Sequence, residues 1–116
     1  MTVNEAIIRS AISYPADADK AELCAWLNEI EGRICAELHG KEPVTITEES
    51  TDTVLCAPDA YAELYPLYLI MKRELICGDD DRYAFFAQRF EQAYARYAKY
   101  TVRSAVPSSA TYIKTV

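Results

Sequence analysis

Between Pro58 and Tyr100 the apolar positions recur at alternating intervals of three and four. Tyr61, Leu64, Tyr68, Met71 and Leu75 form one series, and Tyr83, Phe86, Phe90, Ala93, Tyr97 and Tyr100 form a second. Each series predicts one apolar face of a helix. Gly78-Asp79-Asp80-Asp81 separates them, and two such faces joined by a tight turn predict an antiparallel helical hairpin. Leu67-Tyr68-Leu69-Ile70-Met71 is apolar on every side, which marks the third helix as the central, most buried one. Pro66 stands near its start, where proline removes a hydrogen bond. Either residues 59–65 form a separate first turn, or the axis bends there.

Upstream, Ile7, Ile8, Ala11 and Ile12 supply the apolar face of a short helix over residues 2–13. Thr2 or Asn4 caps it, and Tyr14-Pro15 ends it. A second helix starts at Asp17 or Asp19 and runs to about Leu38. Its stripe is Leu23, Trp26, Leu27, Ile30, Ile34 and Leu38, with Glu22, Glu29, Glu31, Arg33 and Glu37 on the other sides. Gly32 inside it costs about 1 kcal/mol relative to alanine, which implies close packing against another helix. His39-Gly40 closes the segment with a glycine cap.

From Lys41 to Asp59 the character changes. Val44-Thr45-Ile46-Thr47 and Thr53-Val54-Leu55 flank an acidic tip from Glu48 to Asp52. Two such arms predict a loose β-hairpin or an open loop that projects for contact. Beyond Tyr100 the periodicity ends, and residues 104–116 read as an extended tail, frayed or docked on another chain. The expected fold is therefore all-α: a four-helix domain over residues 1–103 with a C-terminal helical hairpin and a long mid-chain loop, followed by the tail.

Composition narrows the function. A length of 116 residues suits one domain. The aromatic class is skewed, with nine tyrosines against three phenylalanines and one tryptophan. Tyrosine serves equally a surface that alternates between wet and buried states and a core with satisfied hydroxyls. A net charge of −6 argues against gripping nucleic-acid phosphates or anionic membranes. It is compatible with a ring whose acidic lumen repels a duplex and lets it slide. The longest apolar run is far too short for a bilayer, and the N-terminus lacks the basic and apolar regions of a signal peptide.

Candidate chemistry is sparse. Cys24, Cys35, Cys56 and Cys77 have no close pairing, and His39 is the one histidine, so no structural zinc set forms. Reduced, partly buried thiols are expected. Cys56 has no activating context, and His39 reads as a helix-ending residue rather than a base. Glu48-Glu49 reads as solvated loop charge. Asp79 to Asp81 lack the alternating ligands, following glycine and distant glutamate of a calcium loop. They read as a helix cap at the positive end of a dipole. No glycine-rich phosphate loop forms from Gly32, Gly40 and Gly78. No enzyme activity, cofactor or metal is expected.

Ala57-Pro58-Asp59-Ala60-Tyr61-Ala62-Glu63-Leu64-Tyr65, the apolar helix after it, Gly78-Asp79-Asp80-Asp81-Arg82-Tyr83, and Phe90-Glu91-Gln92-Ala93-Tyr94 with Tyr97 and Tyr100 form one set. Together they resemble the head-to-tail connector proteins of tailed phages and prophages. The closer likeness is to the small connectors of prophages in Gram-positive bacteria. It covers most of the chain, is specific from Pro58 to Tyr100, and is weak before residue 40. It implies a subunit of a homo-oligomeric ring between the portal protein and the tail-side connector proteins. Such a subunit sits in the virion and, during assembly, in the host cytoplasm. The matching contact segments are Val44 to Leu55 and Ser104 to Val116, and no catalytic residue comes with the family. Pro66 departs from the pattern, where a non-proline helix former is usual.

The interface candidates are Val44, Ile46, Val54, Leu55, Tyr112, Ile113 and Val116. The competing reading is a non-viral helical adaptor or regulatory module that binds one cytosolic protein partner and forms no ring.

Overall fold

The computed structural model describes residues 1–13, 20–50 and 52–113, without the side chains of 12–13 and 104–113. Its four helices are α1 (Val3–Ser13), α2 (Lys20–Ile34), α3 (Leu64–Cys77) and α4 (Asp80–Ile113). The fold is all-α, and no strand occurs among the described residues. Thr2 starts α1 with a reciprocal cap. Its hydroxyl accepts from the Glu5 amide at 3.2 Å, and the Glu5 carboxylate accepts from the Thr2 amide at 2.9 Å. These bonds hold the Glu5 carboxyl below its usual range.

The α2 helix runs into a π-helical turn, Cys35–His39, that ends at Gly40 with φ 63°. Gly32 has nothing within 4 Å of where a Cβ would stand, so close packing does not explain it. A 3₁₀ turn, Asp59–Tyr61, precedes α3. Pro66 then falls in the first turn of α3, where its missing N–H forfeits no helical bond. The separate-turn alternative is the one the chain adopts.

Gly78 and Asp79 alone join α3 to α4. Gly78 takes φ 80° while its amide reaches the Glu74 carbonyl at 3.0 Å. The Asp79 side chain caps α4 by accepting from the Arg82 amide at 3.0 Å. Gly78→Ala forces a Cβ into left-handed backbone and is expected to cost about 1–2 kcal/mol, read by urea unfolding.

α3 packs against each of the other three helices. Leu64, Tyr65, Leu69, Phe90, Ala93, Tyr94 and Tyr97 form the hairpin side of a core that Leu27, Ile30 and Ile34 of α2 and Val3 and Ala6 of α1 complete. The Tyr68 and Phe90 ring centroids stand 5.0 Å apart, and Tyr61 packs on Tyr100 at 4.8 Å. The stripe expected of α3 fails at its end, where Leu75 is exposed and Arg73 and Glu74 are buried. Glu74 is held there by the Arg82 guanidinium at 2.9 Å.

The tail differs from expectation. α4 continues through Pro107 to Ile113, so residues 104–113 are helical rather than extended. No glycine follows Gly78 to stop the helix, and one proline removes only one donor. Residues 114–116 lie outside the described residues.

Candidate interaction surface

The described residues of the segment from Lys41 to Pro58 form neither helix nor hairpin, yet they are fixed at several points. Asn28 on α2 grips Ile46 in both directions. Its side-chain oxygen accepts from the Ile46 amide, and its NH₂ donates to the Ile46 carbonyl, each at 2.7 Å. The chain start runs antiparallel to the second arm. A bridge pairs Thr2 with Val54, the Val3 amide donates to Thr53 at 3.0 Å, and the Leu55 amide donates to Met1 at 2.9 Å. At the tip, Ser50 closes a turn on Thr47 through its amide at 2.9 Å and its hydroxyl at 3.0 Å.

Glu31 supplies the deepest anchor. Its carboxylate accepts from the Cys56 amide at 3.1 Å, the Cys56 thiol at 3.2 Å and the Tyr65 hydroxyl at 2.5 Å. The Tyr65 oxygen in turn accepts from the Ala57 amide at 3.0 Å. Buried donors and a buried carboxylate thus satisfy one another, and α2, the loop and α3 are tied at one point. Burial, then the Glu31 charge, pushes both the Tyr65 hydroxyl and the Cys56 thiol up, the latter to about 12. A thiol so held stays protonated and donates to Glu31 instead of acting as a nucleophile.

His39 shares a 2.7 Å hydrogen bond with the Tyr97 hydroxyl beside the same network. Cys77 is exposed, whereas Cys24 and Cys35 are buried. Iodoacetamide at pH 8 is therefore expected to label Cys77 in the native protein and the other three only after unfolding, as read by mass spectrometry. Early labelling of Cys56 would contradict this network.

These staples sort the interface candidates. Ile46 and Leu55 are 4% and 2% exposed and belong to the core, so neither is available to a partner. Their neighbours in each arm, Val44 and Val54, are 71% and 70% exposed. Exposure alternates along the second arm, from Val54 through buried Leu55 and half-buried Cys56 to buried Ala57, whereas in the first arm Ile46 is buried where Asn28 holds it and Val44 is not. Val44 and Val54 border a cavity of about 390 Å³ that Glu31, Cys35, His39 and Lys41 also line. Tyr112 and Ile113 lie on the helical end of α4 with side chains outside the described ones, and Val116 lies outside the described residues.

The residues that sequence reasoning missed are Asn28, Glu31 and Tyr65. Asn28 and Glu31 flank the buried stripe at Leu27 and Ile30, opposite an apolar loop whose backbone needs partners. That position beside a stripe was the available signal.

A second polar seam joins α2 to α4. The Arg33 guanidinium lies 4.0 Å from the Tyr94 ring centroid and pairs with Glu37 at 3.2 Å and Glu91 at 3.3 Å. The Tyr94 hydroxyl donates to Glu37 at 2.6 Å. That bond, then Arg33, lowers the Glu37 carboxyl below its usual range. Among the described residues no group of three or more His, Cys, Asp or Glu side chains could hold a metal ion. No helix of the described residues is long and apolar enough to cross a membrane. In comparisons with known proteins, no family model, curated protein or solved structure matches the chain.

Proposed function

We propose that the protein is a structural subunit of a phage head-to-tail connector, a homo-oligomeric ring that joins the portal of the DNA-filled capsid to the tail. The observation that carries this reading is the loop itself. It is stapled to α1, α2 and α3, yet it holds two apolar side chains, Val44 and Val54, out in solvent. A loop fixed before binding loses little entropy on docking, which suits a subunit that must join others in one register. The resemblance in the block from Pro58 to Tyr100 supports the same reading, as does the length of α4, which carries helix beyond the packed core. On this reading the partners are further copies of the chain, the portal protein and the tail-side connector proteins, and the protein resides in the virion.

The test is removal of the gene from the phage or prophage that encodes it, followed by electron microscopy of the lysate. Filled heads and separate tails are expected, with joining restored when the protein is supplied. Normal intact virions would remove the connector reading and favour the cytosolic adaptor.

A further inference from the structure

Charge is distributed unevenly along this chain. From Arg82 to Arg103, α4 carries Arg82, Arg89, Arg96, Lys99 and Arg103 against the single acid Glu91, although the net charge of the whole chain is −6. Residues 41–59 are the converse, with Glu42, Glu48, Glu49, Asp52 and Asp59 against Lys41. The four arginines stand seven residues apart. Seven residues fall about 20° short of two full turns, so these side chains start from one flank of α4, about 10 Å apart along the axis. All four are exposed, Arg82 while paired with Glu74 at 2.9 Å, and Phe85, also exposed, shares that flank.

At the N-terminal end the flank borders a cavity of about 380 Å³ between α1, α3 and α4. Pro66, Leu67 and Ile70 line it, with Phe85, Phe86 and Arg89 from α4, Arg9 from α1 and one acid, Glu63. Apolar surface bordered by two arginines, Arg9 and Arg89, against one glutamate, Glu63, is thus presented on one side of the molecule. Two exposed valines, Val44 and Val54, share the stapled loop with Glu48, Glu49 and Asp52.

We propose that the acidic loop of one copy docks on the basic flank of α4 of a second copy. The inference rests on the self-association in the reading above and names the two surfaces that meet. They are complementary in both respects that matter: valines meet an apolar floor, and carboxylates meet arginines at its rim. The apolar contacts supply affinity, and the charges set register and encounter rate. The two surfaces differ, so the contact passes from copy to copy and closes a ring if the rotation allows. Charge also favours a protein occupant over nucleic acid. A phosphate backbone approaching the flank would meet the field of a chain with 18 acidic residues against 12 basic ones.

The test is sedimentation velocity on the full chain at low and high salt. The proteins compared are the wild type, Arg89→Glu/Arg96→Glu, Glu48→Lys/Glu49→Lys, and all four changes combined. Circular dichroism checks the fold of each. The wild type is expected to self-associate less as salt rises. Each double variant should associate about tenfold more weakly or worse, and the combined variant should regain affinity. A wild type that stays monomeric at near-millimolar concentration overturns the docking and the ring's self-association together. Association unchanged by either reversal overturns these surfaces and leaves the ring reading standing. Salt-dependent binding of random duplex DNA that Arg89→Glu/Arg96→Glu abolishes, with no self-association, assigns the flank to nucleic acid and overturns the proposal.

Discussion

Phe90→Ala is expected to lower the unfolding free energy by about 3–5 kcal/mol, the cost of deleting a fully buried aromatic ring. Phe90 is 1% exposed at the centre of the α3–α4 seam. Its ring centroid lies 5.0 Å from that of Tyr68 and 5.9 Å from that of Tyr94. Arg33 approaches from the α2 side, 5.8 Å from the Phe90 centroid. Alanine leaves a void that helices on three sides cannot close, because each is held in place by other contacts. The change should appear as a lower urea midpoint with unchanged slope and a fall of 10 °C or more (roughly) in melting temperature. Tyr68→Ala should cost less, since that ring is half-buried and its hydroxyl donates to exposed Glu29 at 2.8 Å. A loss under about 1 kcal/mol at Phe90 would mean that the hairpin seam is not a packed core.

The hairpin was legible in the sequence because its signals agree. Aromatic spacing, the Gly78 turn and the Asp79 cap each specify the same geometry, and local agreement of this kind leaves little for tertiary structure to decide. The first helix was legible through its Thr2 cap but not through its face: Val3, Ala6 and Ser10 are buried, whereas Ile8, expected on the apolar face, is 52% exposed. Pro66 looked awkward only while the start of α3 was placed too early. Moved to Leu64, it sits where proline belongs.

What the sequence hid depends on contacts between distant segments. Glu31 occupies a helix position that reads as solvent-facing. Only the approach of Cys56 and Tyr65, 25 and 34 residues away, makes it a buried anchor. Arg73 and Glu74 are buried in the same unannounced way at the end of an otherwise apolar run. The end of α4 was obscured by Pro107 and by the β-prone residues after it. Propensity there is a weak guide when no stop signal is present.

The loop shows how much turns on this distinction, because residues of the same loop are expected to fail in opposite ways. Ile46→Asp places a carboxylate in the core, beside a backbone whose hydrogen bonds Asn28 already saturates. An unpaired buried charge is expected to cost about 3–5 kcal/mol, which would unfold much of a marginally stable domain. Val54→Asp and Val44→Asp place the same group in solvent, and stability should change by less than about 0.5 kcal/mol. Thermal unfolding separates the two classes before any functional assay. In complementation of a phage lacking the gene, Ile46→Asp should fail because folded protein is scarce. Val44→Asp and Val54→Asp should yield abundant folded protein and unjoined heads, because a carboxylate would then have to shed its water against an interface built for an apolar side chain. Intact virions from both valine variants would show that the loop is not the joint. A fully stable Ile46→Asp would show instead that the loop is not stapled to α2 as described, and the case for a pre-formed docking surface would go with it.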